Sequence, residues 1–259
     1  MKIATWNINS VRLRLDLVLG FLKTADIDVL CLQETKTQDH DFPAEAFAAA
    51  GWQHAAIRGE KSYNGVAILS RRPLVKTAHL NWAGKQDCRH IWAQTDNGIG
   101  IHNFYVPAGG DVPDPDENPK FAHKLQFIDE MTAHFASNNP TRQVLVGDLN
   151  IAPLAADVWS SKQLLKIISH TPVETDGLKN LLDKGGWHDA VRAHFGDDEK
   201  LFSWWSYRSR DWTANNRGRR LDHMWVSHDL ADSISDAQIY RDLRSAEKPS
   251  DHVPISLSI

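Results

Sequence analysis

Cysteine is scarce in this sequence: only Cys31 and Cys88 occur in 259 residues, and neither stands in a C-x-x-C pair. That argues against a disulfide framework and a thiolate zinc cluster, and it suits a reducing cytoplasm. No apolar stretch reaches the roughly 18 residues that a membrane-spanning helix needs. The opening "MKIATWNIN" alternates like a strand and lacks the long apolar run of a secretory leader. Gly/Ser linkers, low-complexity tracts and fixed-period repeats are missing too, so a single domain over residues 1–259 is expected. Positive charge is not in excess, since 29 Lys and Arg face 33 Asp and Glu for a formal net charge of −4. A binder relying on bulk basicity is excluded, whereas a local basic face is not.

What the chain does contain is an alternation of strand-like and helical runs. "VRLRLDLVLGFLKTADI" places Val11, Leu15, Val18, Leu19 and Leu22 at helical spacing, with Ser10 as the expected N-cap. "DVLCLQE", "NGVAILS", "IGIHNFYVP" and "QVLVGDLN" read as strands, and "KFAHKLQFIDEMTAHF" and "TDGLKNLLDKG" as helices, the latter ended by Gly185. "LFSWWSY", "RLDHMWVS" and "VPISLSI" suggest three further strands. No Gly-rich dinucleotide fingerprint follows the first strand, so a layered α/β sandwich is expected rather than a doubly wound sheet.

Polar groups gather where these strands end. Asn7 and Asn9 close the first, Glu34 the second, Tyr105 ends "NFY", Asp148 and Asn150 end "VGDLN", Asp222 opens "DHM", and Asp251 and His252 precede the last. Singly, each fits ordinary turn chemistry, because Asn and Asp side chains bond nearby backbone groups. Glu34 is harder to explain that way, since a carboxylate directly after "VLCL" is costly to bury unpaired. Together they form a coherent set: Glu34, Asp251 and the other Asn and Asp groups are hard oxygen ligands suited to Mg²⁺ or Mn²⁺. Asp148 and Asn150, two apart, share a face of an extended segment, so one can meet a nucleophile while the other donates to a developing anion. His252 can be held in one state by Asp222 or Asp251, and Tyr105 adds a phenolic donor. This is a toolkit for metal-assisted attack of water on a phosphate ester.

The ordered series "WNINSVR", "DVLCLQETK", "YNGVAILS", "VPAGGD", "NPKFAHKLQF", "VGDLNIAP", "FSWWSYRS", "RGRRLDHMWVS" and "EKPSDHVPI" closely resembles the exonuclease III family, nearly end to end. Those proteins are apurinic/apyrimidinic (AP) endonucleases of the DNase I-like superfamily. The resemblance implies a four-layered α/β sandwich, with two packed mixed β-sheets flanked by helices. It implies a Mg²⁺- or Mn²⁺-dependent DNA repair nuclease that cuts 5′ to abasic sites, processes 3′ ends, or both. A monomer acting on double-stranded DNA is expected. Carried over residue by residue, the resemblance makes Tyr105, Asp148, Asn150, Asp222 and His252 catalytic. Its expected metal set is Asn7, Glu34, Asp148, Asn150, Asp251 and His252. One metal or two stays open.

In one position the chain departs from this pattern: Arg219 follows Gly218 where the resemblance leads one to expect a bulky apolar residue. Either the guanidinium faces the site and shifts activity toward 3′ ends, or it points away while a neighbouring tryptophan closes the pocket. Trp204, Trp205 and Leu221 are expected to supply the rest of that pocket. "YRSRDWTANNRGRR" gathers Arg208, Arg210, Arg217, Arg219 and Arg220 around Trp212, either as a solvated loop or as a DNA-binding patch, with Lys61 and Tyr63 joining it. Two alternatives keep part of the chemistry: the same reaction on RNA or another phosphodiester, and a catalytically silent DNA-binding module.

Overall fold

The computed structural model describes residues 1–209 and 211–259, so Arg210 lies outside the described residues. Strand β1 (Lys2–Asn7), helix α1 (Leu15–Ala25) and strand β2 (Val29–Gln33) open the chain. Helix α2 (Ala44–Ala49) leads to the hairpin β3 (His54–Glu60) and β4 (Tyr63–Ser70). Then come β5 (Leu74–Ala78), β6 (His90–Thr95), β7 (Gly100–Tyr105), α3 (Pro119–Asn138) and β8 (Gln143–Asp148). Helices α4 (Ser161–Leu164) and α5 (Pro172–Lys184), strand β9 (Trp187–Asp189) and helices α6 (Ala190–Phe195) and α7 (Trp212–Asn215) follow. Strands β10 (Asp222–Ser227), β11 (Asp236–Ile239) and β12 (Ile255–Ser258) finish it.

The strands form two six-stranded mixed sheets, ordered β11-β12-β1-β2-β4-β3 and β5-β6-β7-β8-β10-β9. Alternation within the strands explains the layers. Ile3, Val29, Cys31, Val144, Val146, Met224 and Val226 meet in a core between the sheets. Their neighbours point outward: Ala4, Trp6, Leu30 and Leu32 pack with Val18, Phe21 and Leu22 of α1, and Phe104, Leu145 and Trp225 with Phe127 and Met131 of α3. Central strands buried on both faces therefore read as unbroken apolar runs. The result is the expected four-layered sandwich.

Register places the site. β1 and β2 are parallel, as are β7 and β8, with Asn7 opposite Gln33 and Tyr105 opposite Asp148 at their C-terminal ends. β10 runs antiparallel to β8 and starts with Asp222 opposite Asp148. β12 runs antiparallel to β1, so the segment before Ile255, carrying Asp251 and His252, arrives at the same edge. A crevice outside the C-terminal ends of parallel strands is a common ligand position in open α/β sheets. Beneath this edge a polar clamp ties the sheets together. Asn103 donates to the carbonyls of Leu32 and Ala67, both at 2.9 Å, and accepts from Gln33 at 2.7 Å. Gly147 allows the close approach of β8 to β7: its φ is 139°, and a Cβ there would fall 1.9 Å from the Phe104 carbonyl oxygen.

Two local expectations are corrected and a third holds. Ser10 does not cap α1; its φ is 87°, and the helix begins only at Leu15 after a tight turn. "LFSWWSY" is not a strand, since only Trp204 makes isolated bridges, to Arg219 and His252. Gly185 does end α5, in a right-handed conformation that closes a bond to Leu181.

Candidate active site

Each candidate side chain is fixed by the element that ends beneath it. Asn7, at the tip of β1 and fully buried, donates from Nδ2 to Glu34 Oε1 and Asp148 Oδ2, both at 2.9 Å. One amide thus sets the spacing of two carboxylates from different sheets. Its Oδ1 accepts from the Asn9 N–H at 3.1 Å. Glu34 follows β2 in a left-handed conformation, with φ 49°, which turns its carboxylate into the cleft rather than along the strand.

Asp148 and Asn150 do meet, but through a turn rather than strand alternation. Asn150 has φ 54°, its backbone N–H donates to Asp148 Oδ1 at 2.9 Å, and its amide donates to Val106 O at 2.9 Å and Asp148 Oδ2 at 3.2 Å. Both amide hydrogens are engaged, so the Asn150 amide orients Asp148 instead of standing ready for a developing anion.

His252 sits between two buried acids. Its Nδ1 donates to Asp222 Oδ2 at 2.7 Å, and its Nε2 lies 3.7 Å from Asp148 Oδ2. Asp222 Oδ2 also accepts from Ser203 Oγ at 2.6 Å, and Ser203 Oγ accepts the Leu221 and Asp222 N–H groups. The Ser250–His252 turn is pinned from several sides: Ser250 Oγ donates to Asn7 O at 2.7 Å, Trp6 Nε1 to His252 O at 3.0 Å, and Trp205 N–H to Asp251 O at 2.9 Å.

Electrostatics follows this burial. Burial pushes the Asp148 carboxyl up to about 7, with His252 and Asn7 opposing the rise and Asp222 and Glu34 adding to it. Burial would push the His252 imidazole down, but Asp222 and Asp148 reverse this and raise it to about 10. Burial holds the Tyr105 phenol well above its ordinary value, as do Glu34 and Asp148, so it is a proton donor. Burial works against Glu34 and Asp251 as anions. Lys36 and Asn7 nevertheless hold Glu34 below the usual carboxylate range, and His252, Asn9 and Trp204 do so for Asp251.

The donor set suits a hard divalent cation. Glu34 and Asp251 are ionised carboxylates lining one cleft of about 750 Å³, with no thiolate or neutral imidazole among its lining groups. Asp148, Asp222 and His252 also bring ligand atoms within 4.8 Å of one another. The same trio forms an ion-paired relay, with Asp222 and Asp148 on either side of the His252 imidazole.

The cleft edge is also basic and aromatic. Trp204, Arg208, Arg217, Arg219 and Leu221 line it, while Trp205 is buried behind Phe202 and Val253 and does not reach it. Arg217 lies over Trp159, not Trp212, at 4.6 Å. Arg220 is fully buried against Asp157 and Asp189, which removes it from the expected patch. Among the described residues, the arginines that stack on Trp212 are Arg241 and Arg244, at 5.4 and 5.8 Å. Lys61 and Tyr63 lie exposed on the β3–β4 turn. Sequence reasoning missed Arg241 and Arg244, and also Lys36, whose Nζ is 2.8 Å from Glu34 Oε2 and 2.6 Å from Asn9 Oδ1. A lysine two residues after Glu34 was the available signal for the last.

The model of the endonuclease/exonuclease/phosphatase family matches residues 4–252. The chain belongs to that family. Exodeoxyribonuclease III of Haemophilus influenzae is 31% identical over 270 residues, covering 98% of each chain. A 3′-5′ exonuclease from Neisseria meningitidis superposes with a TM-score of 0.92 at 33% identity, over 100% of this chain and 99% of that one. An AP endonuclease from Archaeoglobus fulgidus superposes with a TM-score of 0.93 at 32% identity, with the same coverage. Endonuclease/exonuclease/phosphatase proteins depend on divalent metal, in keeping with the paired carboxylates of the cleft.

Proposed function

We propose that this protein is a Mg²⁺- or Mn²⁺-dependent DNA repair nuclease that hydrolyses phosphodiesters of duplex DNA 5′ to abasic sites, at 3′ ends, or both. The observation that carries this reading is the buried Asp222–His252–Asp148 relay, opening onto a cleft also lined by Glu34, Asp251 and Tyr105. The names of the relatives, exodeoxyribonuclease III, 3′-5′ exonuclease and AP endonuclease, agree on this substrate class. A core shared by both sheets supports a single domain over 1–259, and free thiols at Cys31 and Cys88 support a reducing cytoplasmic setting. A monomer is the proposed form.

In this mechanism Asp148, oriented by Asn7 and Asn150, accepts a proton from the attacking water. Its raised pKa matches that task near neutral pH. The water oxygen bonds to phosphorus, the bond to the 3′ oxygen breaks, and Asp148 returns a proton to that oxygen. His252, kept cationic by Asp222, and the Tyr105 phenol stabilise charge on the phosphoryl oxygens. Glu34 and Asp251 would hold the cation, which neutralises phosphate charge when bound. Arg208, Arg217, Trp204 and Leu221 meet the DNA from the cleft wall, with Lys61, Tyr63 and Trp212 flanking it.

The test is a fluorescent abasic duplex incubated with Mg²⁺ and then with EDTA, beside a recessed 3′ end. Metal-dependent cutting that Asp148→Ala abolishes is expected. Binding without cleavage of either duplex would instead make the protein a silent DNA-binding module.

A further inference from the structure

Lys124 stands at a helix position where an apolar residue would be expected. It lies on the buried stripe of α3 with Phe121, Phe127, Ile128, Met131 and Phe135, and its side chain is fully buried. Its partner Glu174, on α5, is buried as deeply and also accepts from the Ser169 N–H and the Thr171 hydroxyl. A buried ion pair can often be exchanged for well-packed apolar groups with no loss of stability. Stability alone therefore does not account for an ammonium here.

The other two donors of that ammonium do account for it. One of its three N–H groups meets Glu174, one donates to Asn150 O at 2.8 Å, and one to Ala108 O at 3.3 Å. These carbonyls lie on the two loops that continue β7 and β8 past the end of their ladder, where Tyr105 stands opposite Asp148. The Val106 N–H still donates to Asp148 O, at 2.9 Å. Beyond that bond Asn150 turns left-handed and its carbonyl leaves the sheet. Side chains also hold the next two carbonyls: Ile151 O accepts from His223 Nε2 at 2.8 Å, and Ala152 O from His170 Nδ1 at 2.6 Å. Of the three side chains, Lys124 is the one that also reaches the loop after Tyr105. Gly109 makes room for it: its φ is 95°, and a Cβ there would lie 3.0 Å from Lys124 Cδ.

We infer that Lys124 is a positioning residue for the cleavage reaction, its ammonium fixing the loop after Tyr105 against the Asp148–Asn150 turn. This rests on the roles proposed above for Tyr105 and Asp148. Lys124 itself does not line the cleft, so it acts through the two carbonyls. The tie matters because a proton acceptor on one loop and a phenolic donor beside the other must meet a single phosphate together. A misplacement of about 1 Å between such groups can cost about 100-fold in rate. Without the ammonium both carbonyls lose their donor, and nothing in its place draws the two loops together at this depth.

The experiment measures single-turnover cleavage in Mg²⁺ of a duplex with an abasic site or a recessed 3′ end, whichever wild type cuts faster. Duplex binding is read separately, by fluorescence anisotropy in EDTA. Lys124→Met combined with Glu174→Gln removes both buried charges together, so no lone ion is left inside. This double variant is expected to cut about 10- to 100-fold more slowly while its duplex Kd stays within about 2-fold of wild type. Hydrogen exchange is expected to quicken at residues 106–110 and 148–152 and to stay slow in β1 and β10. Met131→Ala, a cavity on the same face of α3, is the matched control for lost stability, with a rate expected within about 3-fold of wild type. Lys124→Arg keeps the charge but spreads its donors over a planar fork. It is expected to cut at an intermediate rate, and it carries the test should the double variant fail to fold. A folded Lys124 variant that cuts within about 3-fold of wild type overturns this inference alone. So does a fall equalled by Met131→Ala, or one that appears in duplex binding instead of the single-turnover rate. A wild type that cuts neither duplex overturns the nuclease reading and this inference with it.

Discussion

Asp157→Asn is the sharpest test of how the cleft wall is supported. Asp157 is fully buried and accepts from Arg220 Nε at 2.6 Å and Nη2 at 3.2 Å, while Arg192 reaches the same carboxylate through Nη2. Arg220 also donates to Asp189 Oδ2 at 2.9 Å, so two guanidinium groups are balanced by two carboxylates. The substitution keeps the side chain's shape and removes one negative charge. Asp189 and the carbonyls of Gly196, Asp197 and Glu199 then remain as partners for two buried cations. Breaking a buried pair in this way costs about 3–5 kcal/mol. For a protein of this size that corresponds to a fall in melting temperature on the order of 10 °C. Thermal melting and urea unfolding at pH 7 would measure it.

The pH dependence gives a second reading of the same pair. Burial would raise the Asp157 carboxyl, but Arg220 and Arg192 hold it below the usual carboxylate range. A depressed folded-state pKa stabilises the fold above the unfolded value of about 3.9, and that contribution fades as pH falls through the folded value. The gap between wild type and Asp157→Asn should therefore narrow only under acid, below about pH 4. A melting temperature within about 2 °C of wild type at pH 7 would refute the argument that this network carries the wall.

Three other outcomes follow from the geometry. Asp222→Asn keeps a partner for His252 Nδ1 but removes the buried charge, so cleavage should fall about 100-fold in single-turnover assays while DNA affinity changes little. Gly147→Ala forces a Cβ against the Phe104 carbonyl and should cost about 2–3 kcal/mol in urea unfolding, with the loss of protection centred on β7 and β8 in hydrogen exchange. Replacing Arg208 and Arg217 together by glutamine should flatten the salt dependence of duplex binding by up to about 2 in log–log slope; an unchanged slope would place the phosphate contacts elsewhere, with Arg241 and Arg244 next to be tested.

The architecture was legible wherever a strand is buried on both faces. "VLCL", "VLV" and "MWV" announce themselves because both sheet faces are covered. The edge strands β3 and β5 did not, since their half-exposed, polar sequences carry little periodic signal. "LFSWWSY" misled in the opposite direction. Trp204 and Trp205 are held by backbone bonds to Arg219 and to the Ser250–His252 turn, not by membership of a sheet. Ser10 looked like a cap by residue type alone, but the backbone turns left-handed there to bring Asn9 toward Asp251.

For the site, residue types at strand ends were enough to assemble Glu34, Tyr105, Asp148, Asn150, Asp222, Asp251 and His252 before any coordinates, and these sit together around one cleft. Composition and order determine that much, because oxygen ligands and an acid-flanked histidine carry their chemistry in their functional groups. Pairing and charge state were decided only by the fold. Six strands converge from distant parts of the chain, and this brings Asp222 and Asp148 against His252 to hold it as a cation, makes Asn7 a bridge between carboxylates and Arg220 a structural prop. The neighbouring Arg219, one residue away on the same segment, is turned instead into the cleft. Sequence adjacency cannot distinguish those two arginines; the alternation of an extended backbone between two different environments does.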